Sequence, residues 1–439
     1  MWQVLAPLFT IFTFLSSFSF IFGLSVSAFQ SVPATMRFSH VLRALPALAQ
    51  GANCSTKLYV SSYSGNITTF SLDRTTANVI TLKNLGVTQD SAPQAAWLEL
   101  NSKAKVVYGV DEAWSTPNGS ITTYNTTDGA LVPNSKHVTY PGAVSTVLYN
   151  GGKAVACAHY GGQVLTTWAT QADGSLSNIG DFVFTQEGPG AYPERQDKPH
   201  PHEALVDPTD SYILVPDLGS DLLRTFSIDK KTSKLKELTP FPVKPGNGPR
   251  HGAFYAPTAK PGPKGNMVAG DGTYFLLVNE LSNTVESYKV KYGKSGLGFK
   301  LVESHGIYGT MATPAGAAAA EGKLSPDLKF FHTSSRNATI LTTPNPNPLN
   351  TTAIPSDTLQ TWIPDPNTGK LTFVESAAAG GRFPRQFSLN KKGDLAAVGL
   401  QQSSRFVILP RDIATGKFGE PLASVENLGE VTAVIWDEK

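Results

Sequence analysis

The chain has 439 residues, of which 41% are hydrophobic and 10% aromatic, so it can bury a large core. Charged residues make up only 16%, whereas glycine (39) and proline (31) are plentiful, which is typical of many short strands joined by tight turns. The formal net charge is +2 and no segment is densely basic, so the composition argues against a nucleic-acid-binding protein.

The first 28 residues predict a targeting segment. Positions 2–28 contain no charged residue, and the small residues Val26, Ser27 and Ala28 suit cleavage by a signal peptidase. We expect a cleaved signal peptide over 1–28, with an uncleaved membrane anchor as the alternative. A loosely ordered leader over 29–52 then precedes a single large domain over 53–439. The protein is therefore expected to be secreted or held at the cell surface.

Two further patterns fit an oxidising compartment. Cys54 and Cys157 are the only cysteines, and they either form one disulfide or remain two separate buried thiols. Six Asn-x-Ser/Thr triplets are candidate glycosylation sites, and they begin at Asn53, Asn66, Asn118, Asn125, Asn337 and Asn350.

From residue 57 onward, short apolar strands recur at intervals of about fifty to sixty residues. Most of them are followed by a second strand, and no stretch sustains a helical period. The pattern predicts an all-β, seven-bladed β-propeller in which 431–436 pairs with the first blade and closes the ring. Three stretches, 256–273, 310–322 and 343–356, read as inserted loops. The seven recurring segments are 58–60, 106–108, 154–156, 212–215, 274–277, 329–331 and 395–398.

A proline followed by a basic residue recurs just before such strand pairs. The three copies read HPHEALVDP, GPRHGAF and FPRQFSL, and they contain His202, Arg250 and Arg385. Because repeated units stack with their copies, the same register places these three side chains at equivalent points of the assembly. The repeats therefore predict a propeller whose central mouth is lined with cations.

The segments HPHEALVDP…VPDLGSD, GNGPRHGAF, VNELSNTVESY, SSRN and RFPRQFSL follow one another in order. In these motifs the chain resembles the lactonase family of seven-bladed propellers, over about residues 55–437. That family includes fungal 3-carboxy-cis,cis-muconate cyclase and the bacterial-type 6-phosphogluconolactonase.

The resemblance implies a catalytic set of His202, Arg250, Glu280 and Arg336, with no metal and no cofactor. Its chemistry is sensible, because closing a lactone on a muconate needs fixed cations for the carboxylates and a group that delivers a proton to carbon. Arginine suits the first role. His202 suits the second, as does Glu280 if its surroundings keep it protonated. Hydrolysis of a sugar lactone would use nearly the same set.

Three other residues are candidate substrate-binding groups: Arg385 in the same ring, His200, and Asp217, which matches Glu280 in the repeat. His251 is more typical of a structural residue, and Arg195 is a weaker candidate in a polar loop. A calcium site is disfavoured because the predicted arginines would repel the ion.

The preferred interpretation is a secreted carboxymuconate cyclase-like enzyme that acts on a small polycarboxylate. The alternatives are a 6-phosphogluconolactonase-like sugar-lactone hydrolase, and a non-catalytic glycoprotein of the cell surface or cell wall that uses the propeller for binding. In the enzymatic cases the expected partner is a small anionic substrate, with no nucleic acid, and a membrane is involved only if residues 1–28 are retained.

Overall fold

The computed structural model describes residues 56–76, 79–89, 92–261, 267–268, 270 and 272–438. The strands in these ranges form seven antiparallel sheets of four strands, one of which gains a short fifth strand. At six of the seven junctions between neighbouring sheets the innermost strands contact each other, and at the remaining junction an innermost strand contacts the second strand of its neighbour. The sheets are therefore the blades of a closed seven-bladed propeller around a central channel, as the sequence predicts.

Each blade runs outward from the channel in chain order, except that blade 1 receives its innermost strand from the end of the chain. Blade 1 contains β1 (Thr56–Ser62), β2 (Asn66–Arg74) and β3 (Ile80–Gln89). Blade 2 contains β4 (Ala95–Asn101), β5 (Val106–Asp111), β6 (Gly119–Asn125) and β7 (Val132–Thr139). Blade 3 contains β8 (Ala143–Tyr149), β9 (Ala154–His159), β10 (Val164–Thr170) and β11 (Leu176–Val183). Blade 4 comprises β12 (Leu205–Val206), β13 (Tyr212–Asp217), β14 (Leu222–Ile228), β15 (Leu235–Glu237) and β16 (Phe241–Pro242).

Blades 5 and 6 each carry an extra two-stranded hairpin. Blade 5 contains β17 (Pro249–Tyr255), β20 (Tyr274–Asn279), β21 (Thr284–Gly293) and β22 (Gly296–Gly306), with the hairpin β18 (Lys260–Pro261) and β19 (Met267–Val268). Blade 6 contains β23 (Ala318–Leu324), β24 (Phe331–Arg336), β27 (Thr358–Pro364) and β28 (Leu371–Ala378), with the hairpin β25 (Leu341–Thr343) and β26 (Ile354–Ser356). Blade 7 and the closing strand are β29 (Pro384–Leu389), β30 (Leu395–Leu400), a 3-10 turn (Gln401–Ser403), β31 (Arg405–Pro410), β32 (Ala423–Val425) and β33 (Val431–Asp437).

Ring closure follows the predicted route. Strand β33 pairs antiparallel with β1, so that Leu58 lies opposite Trp436 and Val60 opposite Val434. The joint is sealed by apolar packing between blades 7 and 1, where the rings of Phe70 and Phe406 lie 5.2 Å apart. This pairing removes the free sheet edges that an open ring would expose.

The core lies between the blades. Every residue of β5, β9, β20 and β30 is buried, because both faces of these second strands pack against neighbouring blades. Continuous apolar runs of this length are expected for strands buried on both faces. The outermost strand β3, by contrast, mixes buried and exposed residues.

Two of the three predicted loop insertions are confirmed as hairpins, β18–β19 and β25–β26. The third prediction is wrong in part, because 318–322 belong to β23, the innermost strand of blade 6. The alanine-rich sequence hides the strand, since alanine is uncommon in strands and supplies no alternation of polar and apolar residues.

The predictions for residues 1–52, together with Cys54 and Asn53, lie outside the described residues. The disulfide therefore stays a prediction, and its other half, Cys157, is fully buried in β9. Glycosylation also stays a prediction. Among the described residues, no helix has the length and hydropathy needed to span a bilayer. Of the five described triplets, Asn66 is half-buried and the exposed ones are Asn118, Asn125, Asn337 and Asn350.

Candidate active site at the central mouth

One end of the channel, which we call the mouth, collects residues from all parts of the chain. In each blade the innermost strand begins where its antiparallel neighbour ends. In blade 5, for example, Pro249 at the start of β17 pairs with Asn279 at the end of β20. Residues at the start of the innermost strand and just after the second strand therefore meet at this end.

A one-residue bulge explains the recurring proline and basic residue. In blade 5 the ladder passes from the pair Pro249–Asn279 directly to His251–Val278, so Arg250 is an extra residue without a partner. Arg385 is the extra residue in blade 7. Bulges redirect side chains and are frequent beside active sites. The proline fits the position because the ladder is interrupted there and its missing N–H is not needed.

A second repeated feature encircles the mouth. In six blades, a backbone hydrogen bond joins the second strand to the innermost strand at this end. The donor is the N–H of the residue just after the second strand, and the acceptor is the carbonyl of the residue just before the innermost strand or, in blade 4, before Pro201. In blade 5 this bond, from Glu280 to Gly248, measures 2.8 Å. The six donors are Tyr63, Glu112, Tyr160, Leu218, Glu280 and Gln401.

Gly248 is needed where this bond forms. Its φ is +61°, and a Cβ at this position would lie 2.4 Å from Cγ of Leu281. Only glycine adopts that backbone conformation without strain while leaving room for the neighbour. The glycine of the GPRH motif thus sets the path that brings Arg250 and Glu280 together.

The predicted match between Asp217 and Glu280 is wrong by one residue. Asp217 bridges to Pro201, which makes it the counterpart of Asn279, the partner of Pro249. Successive side chains of a strand point to opposite faces, so this offset reverses the direction of the Asp217 carboxylate relative to Glu280.

Asp217 is instead built into blade 4. Its side chain is fully buried, one oxygen lies 2.8 Å from Nε of Arg224, and the other accepts the backbone N–H of His200 at 2.7 Å. A third donor, the N–H of Ser220, lies 3.1 Å away. These bonds fix the chain that leads into the HPH motif, so the structure assigns Asp217 a supporting position.

Glu280 is the centre of the mouth and binds three arginines. Its oxygens lie 2.6 Å from Nη2 of Arg195, 2.9 Å from Nε of Arg250 and 2.8 Å from Nη2 of Arg336. Burial would raise the pKa of Glu280, but the charges of Arg336, Arg250 and Arg195 outweigh it and hold the pKa far below its usual range. Glu280 is therefore an anion that orients three cations. It does not supply a proton.

Arg385 forms a second charged group on the other side of the mouth. Its Nη2 lies 2.7 Å from Oε2 of Glu112, its Nη1 donates to the hydroxyl of Tyr63, and that hydroxyl donates to Glu112. The guanidinium also lies 5.3 Å from the centre of the Tyr63 ring. Aromatic stacking and a carboxylate together hold a buried arginine in one orientation.

His202 is 7% exposed and lies close enough to both groups for the charges of their arginines to act on it. Burial and then the charges of Arg250, the neighbouring His251, Arg385 and Arg336 push its pKa well below the usual range. The imidazole is therefore neutral at neutral pH. In this state one ring nitrogen has a lone pair that can accept a proton, and the three nearby arginines weaken it as a base.

His200 is not brought to the same point. Its ring stacks on Tyr160 at 4.1 Å, its Nδ1 lies 2.8 Å from the carbonyl of Tyr160, and its Nε2 lies 2.9 Å from Asp197. It borders a cavity of about 300 Å³ beside the mouth, together with Glu112, Trp114 and Lys198. His200 thus shapes a neighbouring wall, whereas His202, Arg250, Glu280, Arg336 and Arg385 meet at the mouth.

Behind the mouth, the described residues offer one group with the geometry of metal ligands. Atoms of Glu203, His251 and Glu321 lie within 4.8 Å of one another. The ammonium of Lys323 already lies 3.2 Å from Glu321 and 3.8 Å from Glu203, so the protein supplies its own cation to these carboxylates. The arrangement is that of an ion-pair network.

Sequence reasoning missed several of these groups. Tyr63, Glu112 and Tyr160 occupy the position of Glu280 in other blades, and counting one residue beyond each second strand would have found them. Glu321 lies in the segment 310–322 that was expected to be a loop, and Lys323 directly follows that segment in β23. Arg195, considered a weaker candidate, contacts Glu280 directly.

Comparisons with known proteins agree with this architecture. The family model "Lactonase, 7-bladed beta-propeller" matches residues 57–436. A probable 6-phosphogluconolactonase from Arthroderma benhamiae is 30% identical over 390 residues, which cover 89% of this chain and 91% of the relative. A 6-phosphogluconolactonase from Formosa agariphila is 26% identical over 335 residues, covering 75% and 84% of the two chains.

Two solved structures are similar in fold. The periplasmic gluconolactonase of Pseudomonas aeruginosa has a TM-score of 0.69 and 23% identity, and the match covers 87% of this chain and 99% of that one. A putative 6-phosphogluconolactonase from Bacteroides uniformis has a TM-score of 0.70 and 19% identity, with the same coverage of both chains.

Proposed function

Because the chain belongs to the lactonase family of seven-bladed β-propellers, we propose that it hydrolyses the lactone ring of a phosphorylated sugar acid at the mouth. The names of its relatives favour this alternative over muconate cyclisation, which the sequence analysis preferred. Both reactions concern lactones of small anions, and the charges at the mouth distinguish between them.

The excess of cations at the mouth is the observation that carries the proposal. Four guanidinium groups, of Arg195, Arg250, Arg336 and Arg385, pair there with two carboxylates of the described residues, those of Glu280 and Glu112. Among the described residues, neither Nη2 of Arg250 nor Nη1 of Arg336 has a hydrogen-bond partner, so both can donate to a ligand. Such a site suits a phosphate group and the oxyanion that develops on the lactone carbonyl.

Protonation states favour hydrolysis over cyclisation. Cyclisation of a muconate ends with delivery of a proton to carbon, but Glu280 is held ionised and His202 is held neutral at neutral pH. Hydrolysis needs the opposite, a base that takes a proton from water. In the proposed reaction His202 takes that proton, water oxygen bonds to the carbonyl carbon, and the proton then passes to the ring oxygen as its bond to carbon breaks.

Initial rates on 6-phosphoglucono-δ-lactone test the proposal. Proton release by the purified full-length chain is followed with a pH indicator and corrected for spontaneous hydrolysis. We expect saturable turnover, and a fall in kcat of about 10²- to 10⁴-fold in His202→Gln, since general-base catalysis contributes that much. Arg250→Gln should raise KM by about tenfold or more, because it removes a charged hydrogen-bond donor.

Matched variants separate these effects from damage to the fold. His305→Gln changes a histidine that is 37% exposed in the outermost strand of blade 5, and Arg405→Gln changes a buried, ion-paired arginine in blade 7. Both should retain wild-type kinetics. No turnover above the spontaneous rate would refute the proposal, and loss of the ultraviolet absorbance of 3-carboxy-cis,cis-muconate in a parallel assay would restore the cyclase interpretation.

A further inference from the structure

A chain of three side chains runs from the mouth into the channel, and each comes from a different blade. Oε1 of Glu321 in β23 lies 2.9 Å from Nδ1 of His251 in β17. Nε2 of His251 lies 3.1 Å from Nδ1 of His202, which precedes β12. Their exposed fractions are 0%, 1% and 7%, so water does not compete for these bonds. We call this set the relay.

The donor and the acceptor of each hydrogen bond in the relay can be assigned by starting from its buried end, Glu321. Burial opposes ionisation of Glu321, but the contacts with His251 and Lys323 outweigh it and hold the pKa of the carboxyl well below its usual range. An ionised carboxylate only accepts hydrogen bonds, so Nδ1 of His251 carries the proton that joins them. Burial lowers the pKa of His251 to about 4, so its Nε2 is unprotonated at neutral pH.

The tautomer of His202 is fixed in turn. Since Nε2 of His251 has a lone pair, the bond between the two rings requires a proton on Nδ1 of His202. Neutral His202 therefore has its second lone pair on Nε2. Among the described residues, that atom has no hydrogen-bond partner, which leaves it available to a water molecule.

We propose that His251 and Glu321 are positioning residues that hold His202 in the tautomer whose Nε2 is the general base of the proposed hydrolysis. The inference rests on that proposed function for its reaction. During the attack, one O–H bond of water breaks, the proton joins Nε2 of His202, and the oxygen bonds to the carbonyl carbon. When the ring ester C–O bond breaks, Nε2 returns the proton to the departing oxygen, so atoms and charge balance.

The surroundings fit a positioning role for these two residues. The indole of Trp97 packs edge-on against the His251 ring at 5.6 Å, which restrains its rotation. Lys323 balances the charge of Glu321, and Glu203 accepts the backbone N–H of Gly252 at 2.8 Å. On the mouth side, the charged groups near His202 are Arg250, Arg336 and Arg385. Without the Glu321 carboxylate, the nearest acidic oxygen to Nδ1 of His251 among the described residues would be Oε1 of Glu203, which lies 3.8 Å away and beyond hydrogen-bond distance.

The decisive variant is Glu321→Met. Oε1 of Glu321 accepts the backbone N–H of Gly322 as well as the proton on Nδ1 of His251, so a glutamine would present its oxygen there and keep the tautomer. Methionine has a similar length but accepts no such hydrogen bond, so it no longer holds the proton on Nδ1 of His251 or, through that ring, on Nδ1 of His202. We expect kcat on 6-phosphoglucono-δ-lactone to fall about 10²- to 10⁴-fold, the range seen when a histidine base loses its orienting carboxylate. KM should change less than about twofold, because the phosphate-binding arginines remain.

The matched control is Glu286→Met in blade 5. Glu286 is similarly buried and accepts hydrogen bonds from Asn247 and Tyr288, but it lies outside the relay. It should lower the melting temperature by a similar amount and leave kcat unchanged. A Glu321→Met variant that folds and keeps wild-type kcat would overturn the relay.

Nuclear magnetic resonance of histidine side chains tests the relay without any substrate. Nitrogen shifts identify the tautomer of each of the eight histidines in the wild-type chain, assigned by single His→Gln variants. We expect His251 and His202 both to be protonated on Nδ1. Protonation of His202 on Nε2 would overturn the relay even if the enzyme is active, whereas the expected tautomers in a chain without lactone turnover would refute the proposed function alone. Wild-type spectra decide the question even if Glu321→Met fails to fold.

Discussion

The two ends of the central channel carry opposite charge imbalances. At the mouth, four arginines meet two carboxylates, and the pKa of Glu280 is held far below its usual range. Further along the innermost strands, Glu99, Glu203 and Glu321 have Lys323 as their nearby cation. That end opens into a cavity of about 780 Å³, lined in part by Trp97, Glu99 and Glu203.

The two ends also balance their charges differently. The mouth keeps Glu280 ionised and still has more cations than carboxylates, so an anionic ligand completes it. At the other end, burial raises the pKa of Glu203, with Glu321 adding to the shift while Lys323 opposes it, and burial raises the pKa of Glu99 to about 7. The carboxyl groups at that end therefore hold protons more tightly, and these protons neutralise the negative charge that Lys323 alone does not balance. The difference indicates that the mouth is arranged for an external anion, while the opposite end is balanced within the protein.

Removing the central anion of the mouth should have the largest effect on stability. Glu280→Gln leaves Arg250 and Arg336 buried without their carboxylate, and breaking a buried ion pair in this way costs about 3–5 kcal/mol. The free energy of unfolding in urea measures the loss. Inorganic phosphate should restore part of it, because a bound anion can replace the lost charge.

Glu112→Gln is the comparison for that experiment, because its carboxylate binds one arginine, Arg385, instead of three. A smaller loss and a weaker response to phosphate are expected. Equal losses in the two variants would contradict the view that Glu280 is the centre of the cation cluster.

Removing Lys323, the cation of the opposite end, should reduce the free energy of unfolding by less than Glu280→Gln does, and the reduction should depend on pH. Lys323→Met leaves Glu203 and Glu321 facing each other, and an unsatisfied buried group of this kind costs about 2 kcal/mol at pH 8. Lys323 has a raised pKa, so in the wild type its contribution is complete at both pH 5 and pH 8. In the variant one carboxyl takes up a proton in the folded state, so stability falls as pH rises and the deficit is smaller at pH 5.

Lys57→Met provides the control, since this lysine is similarly shielded but pairs with the fully exposed Asp128. Urea unfolding of Lys57→Met should show a small loss in the free energy of unfolding that is the same at pH 5 and at pH 8. A deficit in Lys323→Met that is larger at pH 5 than at pH 8 would have the wrong sign for a cluster dominated by carboxylates.

The mouth could be predicted from the sequence far better than the opposite end. Arg250, Arg385 and His202 each follow a proline at the start of the innermost strand in blades 5, 7 and 4, so the repeats alone revealed them. Glu280 and Arg336 came from the family resemblance. Seven blades and the closing strand followed from the spacing of apolar runs, because each blade buries its second strand on both faces.

What escaped prediction has physical causes. The predicted match of Asp217 with Glu280 compared two short acidic motifs, whereas the equal lengths of β13 and β20 align Asp217 with Asn279 and Leu218 with Glu280. A displacement of one residue reverses the face that a side chain takes, and a short motif does not reveal it. Glu321 lies in a strand of alanine and glycine, whose stability comes from packing between blades and not from strand propensity. The relay joins three blades, so no local pattern contains it.

The smallest expected effect concerns Glu99, and it sharpens the contrast between the two ends. Burial raises the pKa of Glu99 from 4.5 to about 7, so the folded state holds this proton more tightly than the unfolded chain. Stability must then fall as pH rises between these values, and the penalty persists above them. Glu99→Gln removes it, and since the side chain is half-buried we expect a gain of about 1–2 kcal/mol at pH 8 and none at pH 4.5. Urea unfolding of both chains across this range measures the difference, and a variant less stable than the wild type at pH 8 would show that Glu99 is paired as firmly as the carboxylates of the mouth.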